Sequence, residues 1–172
     1  PAAVLAIWKP SAALRIDTTY AGETLQASNT VTLNVTTDAE ILPGVGELAG
    51  WGLVASIADA TISGGISAFP TEPGIAIYDD VVANYGVPVP EGTNGVGGAV
   101  LVTGVISSIP IGNVFTGISF HCESGQDVVV TLLSTEDYVT YNVLDTITIH
   151  QIPEPMTMAL LGLGGLFLRR RK

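Results

Sequence analysis

One cysteine, Cys122, in 172 residues leaves no partner for an intrachain disulfide and no set of ligands for a multi-cysteine zinc site. Cations are nearly as scarce. Lysine and arginine number six against sixteen acids, for a net charge of −10. The six are Lys9, Arg15, Arg169, Arg170, Arg171 and Lys172, so the stretch 14–155 holds sixteen acids and one base, a net of −15. Such a body repels nucleic-acid phosphates and anionic lipid headgroups, which excludes nucleic-acid binding. Charged residues of both signs make only 13% of the chain and hydrophobic residues 47%, which excludes disorder as its main state. The length suits one ordinary domain.

What is abundant points to strands. Val, Ile and Thr number 19, 15 and 18, together 52 of 172 residues, and β-branched side chains favour the pleated sheet. Twenty Gly and ten Pro cut the chain into short pieces, which argues against a helical bundle.

Both ends differ from the body. The chain opens on Pro1 rather than Met, and Pro1–Trp8 carries no charge before Lys9. Small residues follow at Ser11-Ala12-Ala13. We read 1–13 as the remnant of a secretory signal peptide, cut near Ala12 or Ala13. At the other end Ile152-Pro153-Glu154-Pro155 precedes thirteen uncharged residues, Met156–Leu168, and then Arg169-Arg170-Arg171-Lys172. Two prolines forbid a helix through 153–155. The apolar run can enter a bilayer, and the basic cluster stays cytoplasmic by the positive-inside rule, leaving the body on the outer side. Thirteen helical residues span roughly 20 Å, short of the ~30 Å hydrocarbon core, and Gly162, Gly164 and Gly165 weaken that helix further. The expectation is a transient anchor.

This tail resembles the PEP-CTERM protein-sorting signal of secreted bacterial proteins. The resemblance covers 152–172. It implies recognition of Pro153, Glu154 and Pro155 by an exosortase-type transpeptidase of the inner membrane. It also implies a short transmembrane helix through Met156, Leu160, Leu161, Leu163, Leu166, Phe167 and Leu168, with a cytoplasmic stop at Arg169, Arg170, Arg171 and Lys172. The expected end point is the cell surface or an extracellular, exopolysaccharide-associated matrix.

Between the ends, 14–152 reads as an all-β domain. Val31, Leu33 and Val35 alternate with Thr32, Asn34 and Thr36, the pattern of a half-buried strand. Further strands are expected at Leu14–Asp17, Gly52–Ile57, Thr61–Ser67, Ala99–Ser107, Asn113–His121, Asp127–Ser134 and Asp145–Ile152, the last with Ile147, Ile149 and Ile152 marking a buried face broken near its end. Turns are expected at Ala21-Gly22-Glu23, Pro43-Gly44, Ser63-Gly64-Gly65, Pro73-Gly74, Pro110-Ile111-Gly112 and Glu123-Ser124-Gly125. Residues 75–85 suggest a helical turn, and Gly92–Gly98 a flexible loop. Eight or nine short strands predict an antiparallel two-sheet sandwich, jelly-roll or immunoglobulin-like, followed by a C-terminal hydrophobic helix. Gly22-Glu23-Thr24, the Val31–Val35 alternation and Gly50-Trp51-Gly52-Leu53 leading to Ile57-Ala58-Asp59 resemble cohesin-like extracellular sandwiches. That resemblance implies a module that binds carbohydrate or protein.

Catalytic constellations are weak. His121 and Cys122 are neighbours on an expected strand and so point to opposite faces. His121 and His150 lack a third metal ligand. Asp79-Asp80 with Tyr78 and Asn84, Glu136-Asp137 and Asp59 are candidate calcium oxygens, without a regular calcium loop. Asn34-Val35-Thr36 has the form of a glycosylation acceptor but lies inside a strand. Trp51, Tyr78 and Tyr85 are candidate sugar-stacking rings, with core packing the expected role of Trp51. The reading is a non-enzymatic exported protein with no required cofactor; the alternatives are a cohesin-like binding module and a small secreted hydrolase.

Overall fold

The computed structural model describes residues 14–40, 50–68, 75–76, 90–99, 101–102, 110–135 and 140–153. Twelve strands are formed among them: β1 (Leu14–Thr18), β2 (Leu25–Gln26), β3 (Thr30–Thr37), β4 (Gly50–Ser56), β5 (Ala60–Ser67), β6 (Ile75–Ala76), β7 (Thr93–Ala99), β8 (Leu101–Val102), β9 (Gly112–Cys122), β10 (Val128–Thr135), β11 (Tyr141–Ile149) and β12 (Gln151–Ile152). Two four-stranded sheets carry the fold, with orders β1-β3-β9-β5 and β11-β10-β4-β7, antiparallel throughout. Two small pairs accompany them, β12-β2 in parallel and β6-β8 antiparallel. The expected two-sheet sandwich is what forms.

The alternation explains the layers. On β3 the inward side chains are Val31, Leu33, Val35 and Thr37, all buried. Val31, Leu33 and Val35 meet Trp51, Leu53 and Ala55 of β4, Phe115, Ile118 and Phe120 of β9, and Val128, Val130 and Leu132 of β10 in one core. Trp51 packs edge-on against Phe115, ring centroids 5.4 Å apart at 61°, an arrangement favoured by the ring quadrupoles. A fully buried side chain of this size contributes about 1.5–3 kcal/mol by leaving water. The β4–β5 and β9–β10 connections both cross between sheets, through 57–59 and 123–127, and lie at one end of the sandwich.

Four expectations need correction. Gly92–Gly98 is no flexible loop: Thr93–Ala99 is β7, paired with β4 from Ser56↔Thr93 to Gly50↔Ala99. Gly95 is a packing requirement there, since a Cβ would collide with the Leu53 carbonyl. Ser63-Gly64-Gly65 is not a turn but the middle of β5. There both glycines adopt positive φ, 70° and 103°, and a side chain at Gly65 would overlap the Phe115 ring. Ile75–Ala76 is strand rather than helix and pairs with Leu101–Val102. The C-terminal strand breaks near its end as expected, at His150, but there Gln151 turns inward and Ile152, expected on the buried face, is 44% exposed.

The expected leader remnant 1–13, the expected turns at Pro43-Gly44 and Pro73-Gly74, and 77–89 and 103–109 lie outside the described residues. So do Tyr78, Asp79, Asp80, Asn84, Tyr85, Glu136, Asp137 and all of 154–172.

Candidate functional site

The described chain ends where the sorting motif begins, at the end of the sandwich formed by the cross-sheet turns. β12 is held there by its backbone. Leu25 N–H donates to the His150 carbonyl at 2.8 Å and Ala27 N–H to the Ile152 carbonyl at 3.1 Å. His150 N–H donates in turn to the Tyr20 hydroxyl at 3.0 Å, and the His150 ring places Nδ1 2.8 Å from Asp127 Oδ2.

Gln151 anchors the strand by its side chain. It is 4% exposed, and its Nε2 donates to the Asp59 carbonyl at 3.3 Å. That carbonyl also accepts Glu123 N–H at 3.1 Å, while the Asp59 carboxylate accepts the Ser124 hydroxyl at 3.1 Å. The 57–59 and 123–126 turns and β12 are thus tied into one polar knot. Pro153, the first residue of Pro-Glu-Pro, sits against Gly125: a Cβ at Gly125 would fall 2.6 Å from the Pro153 nitrogen and overlap its ring.

A second polar group stands on the adjoining surface. Thr61 faces His121 across the β5–β9 pairing. The Thr61 hydroxyl donates to Glu123 Oε1 at 2.7 Å, and His121 Nδ1 lies 3.0 Å from the same oxygen. These bonds, Thr61 first and His121 second, lower the Glu123 pKa from its ordinary value of 4.5. Cys122 points the other way, fully buried; burial first and the Glu123 charge second push its thiol pKa up, away from nucleophilic thiolate. The expected opposition of His121 and Cys122 is what forms.

Other candidates are absorbed by structure. Trp51 is core. Asn34 spends its amide on the strands around it, donating to Asp17 Oδ2 at 3.3 Å and accepting Gly117 N–H at 3.0 Å, where β9 bulges. Asp59 is occupied in the knot. Among the described residues no three His, Cys, Asp or Glu side chains gather as a metal site, and no helix is long and apolar enough to cross a membrane. Of the expected sorting residues only Pro153 is described; Glu154, Pro155, the apolar run and the basic stop lie beyond. The Gly125 seat escaped sequence reading, because nothing local to Glu123-Ser124-Gly125 marks a partner 28 positions downstream.

Residues 151–172 match the family model of the PEP-CTERM protein-sorting motif. The PEP-CTERM match begins at Gln151, the buried residue of β12, so it overlaps the folded domain by three described residues. A PEP-CTERM motif implies an exported protein, held transiently in a membrane and processed by an exosortase-type system. A comparison with curated proteins finds no match. Among solved structures the chain is similar to a cohesin module from a Clostridium perfringens family 33 glycoside hydrolase. The identity is 12% and the TM-score 0.43, covering 84% of this chain and all of that one. It is also similar to a type II cohesin domain from the cellulosome of Acetivibrio cellulolyticus. There the identity is 9% and the TM-score 0.39, covering 81% and 95%. At these scores the architecture rests on the strand pairings themselves.

Proposed function

We propose that this is a non-enzymatic, exported β-sandwich protein that an exosortase-type transpeptidase sorts to the cell surface or to an exopolysaccharide-associated matrix. The PEP-CTERM match at 151–172 carries the reading. In it, 1–13 is the leader remnant, 14–152 the sandwich and 153–172 the sorting signal. Pro153, Glu154 and Pro155 form the recognition element. Met156, Leu160, Leu161, Leu163, Leu166, Phe167 and Leu168 enter the bilayer. Arg169, Arg170, Arg171 and Lys172 stop transfer on the cytoplasmic side. The test is fractionation of a chain tagged both in the body and after Lys172, in a host with an exosortase. The body tag is expected outside the inner membrane without the tail tag; both tags together in the cytoplasm would refute the reading.

A second reading, a module that binds protein or carbohydrate, is favoured by exposed apolar side chains on neighbouring strands. Val129 of β10 is 53% exposed and Val143 of β11 63%. Glycan arrays and pull-downs with the sandwich test it, and silence in both counts against it.

A further inference from the structure

We propose that the folded sandwich clamps the start of the sorting motif, with Gly125 as the positioning residue. The bond cut in sorting then lies on the C-terminal side of Pro153, and β12 remains in the mature protein. This inference rests on the sorting reading above for its consequence, though not for the clamp itself.

Binding of an extended peptide by strand addition draws on its main-chain hydrogen-bonding groups. Upstream of Pro153 those groups are committed. The His150 and Ile152 carbonyls accept from Leu25 and Ala27, and His150 N–H is held by Tyr20. The Gln151 side chain is buried and bonded to the Asp59 carbonyl. Engaging any bond from 150 to 153 requires β12 to leave β2 and expose Gln151.

Gly125 closes the clamp. Its φ is not positive, so the backbone tolerates a side chain there; what opposes one is Pro153. Absence of a Cβ lets the proline ring settle on the 124–126 turn, next to the Ser124–Asp59 bond. The turn comes from the β9–β10 connection, so the seat exists only once both sheets have formed. Pro153 is therefore held in this geometry by folded protein.

Processing breaks one peptide bond. The acyl carbon passes to the transpeptidase nucleophile, the new amine of the tail takes up a proton, and water or an acceptor amine then releases the acyl group. The clamp sets which acyl carbon is reachable.

Hydrogen exchange on the purified full-length chain tests the clamp without any processing enzyme. The Leu25 and Ala27 amides, which donate to the segment before Pro153, are expected to be protected. Gly125→Ala and Gly125→Val are expected to speed their exchange in that order, about tenfold for valine, while β3 and β9 amides keep their protection. Unchanged exchange in both variants would overturn the proposal, as would unprotected amides in the parent. Mass analysis of the form matured by an exosortase host supplies the second arm. A C-terminus at Pro153 or beyond supports the proposal, and one at Ile152 or any earlier residue overturns it. An uncut chain whose Leu25 and Ala27 remain protected and Gly125-sensitive sinks the sorting reading while upholding the clamp.

Discussion

Asn94 of β7 grips Ile62 of β5 across the sandwich. Its Oδ1 accepts the Ile62 N–H at 2.7 Å, and its Nδ2 donates to the Ala60 carbonyl at 2.6 Å. One amide thus serves the β5 edge as a neighbouring strand would. At the opposite edge Asp145 of β11 accepts the Ile16 N–H of β1 at 2.9 Å. Both open seams between the sheets, β5 beside β7 and β1 beside β11, are therefore bridged by a side chain. Bridged edges offer fewer free backbone groups for pairing with another chain.

Replacing Asn94 by Ala leaves the Ile62 N–H and Ala60 carbonyl without this partner in a half-buried place. The expected loss is about 1–3 kcal/mol, the cost of unmade hydrogen bonds away from water. Asn94→Asp keeps the acceptor but sets an oxygen against the Ala60 carbonyl, so it is expected to be no better than Ala. Urea unfolding midpoints at constant slope measure both.

Asp145→Ala is expected to cost about 1–2 kcal/mol by freeing Ile16 N–H. The loss should add to that of Asn94→Ala, since the two sit on opposite seams and share no partner. A double variant checked by the same unfolding curves tests the additivity.

These bridges also mark how far sequence reading reaches. Val31, Leu33 and Val35 announced a half-buried strand because the alternation is written in side chains. Thr93–Ala99 is hidden because three of its seven residues, Gly95, Gly97 and Gly98, are glycine, and glycine carries no pattern; its pairing is set by how closely β4 approaches. β2 and β12 are two residues each, too short for any period, and they join in parallel across more than a hundred positions. The tail was legible because its signal is chemical and contiguous: prolines, grease, arginines. The seat for Pro153 was not, because it is a shape made by a distant turn.

The core makes a contrasting prediction. Phe115→Ala removes a fully buried ring that touches Trp51 and is expected to cost about 3–5 kcal/mol. Trp51→Phe is expected to cost less. The Trp51 Nε1–H is buried without a hydrogen-bond partner among the described residues, so removing it relieves a group unsatisfied there. Thermal melts of the two variants should rank in that order.

Glu123 gives the acid limb a handle. Its lowered pKa means the fold favours the carboxylate, through Thr61 and then His121. The group therefore contributes stability above its ordinary value of 4.5 and loses that contribution as pH falls through the depressed folded value. Glu123→Gln is expected to flatten melting temperature against pH in that acidic window and to leave its shape near neutrality. The Glu123 side chain is exposed, so solvent screening keeps the effect small.

The account stands on a removable tail carried by a sheet-built body. Its most direct test is the intact mass of the protein recovered from the surface or medium of an exosortase-bearing host. The expected mass is that of a chain that has lost the apolar run and Arg169-Arg170-Arg171-Lys172 and ends within or just after Pro153-Glu154-Pro155. Recovery there of a chain still ending at Lys172 would contradict it.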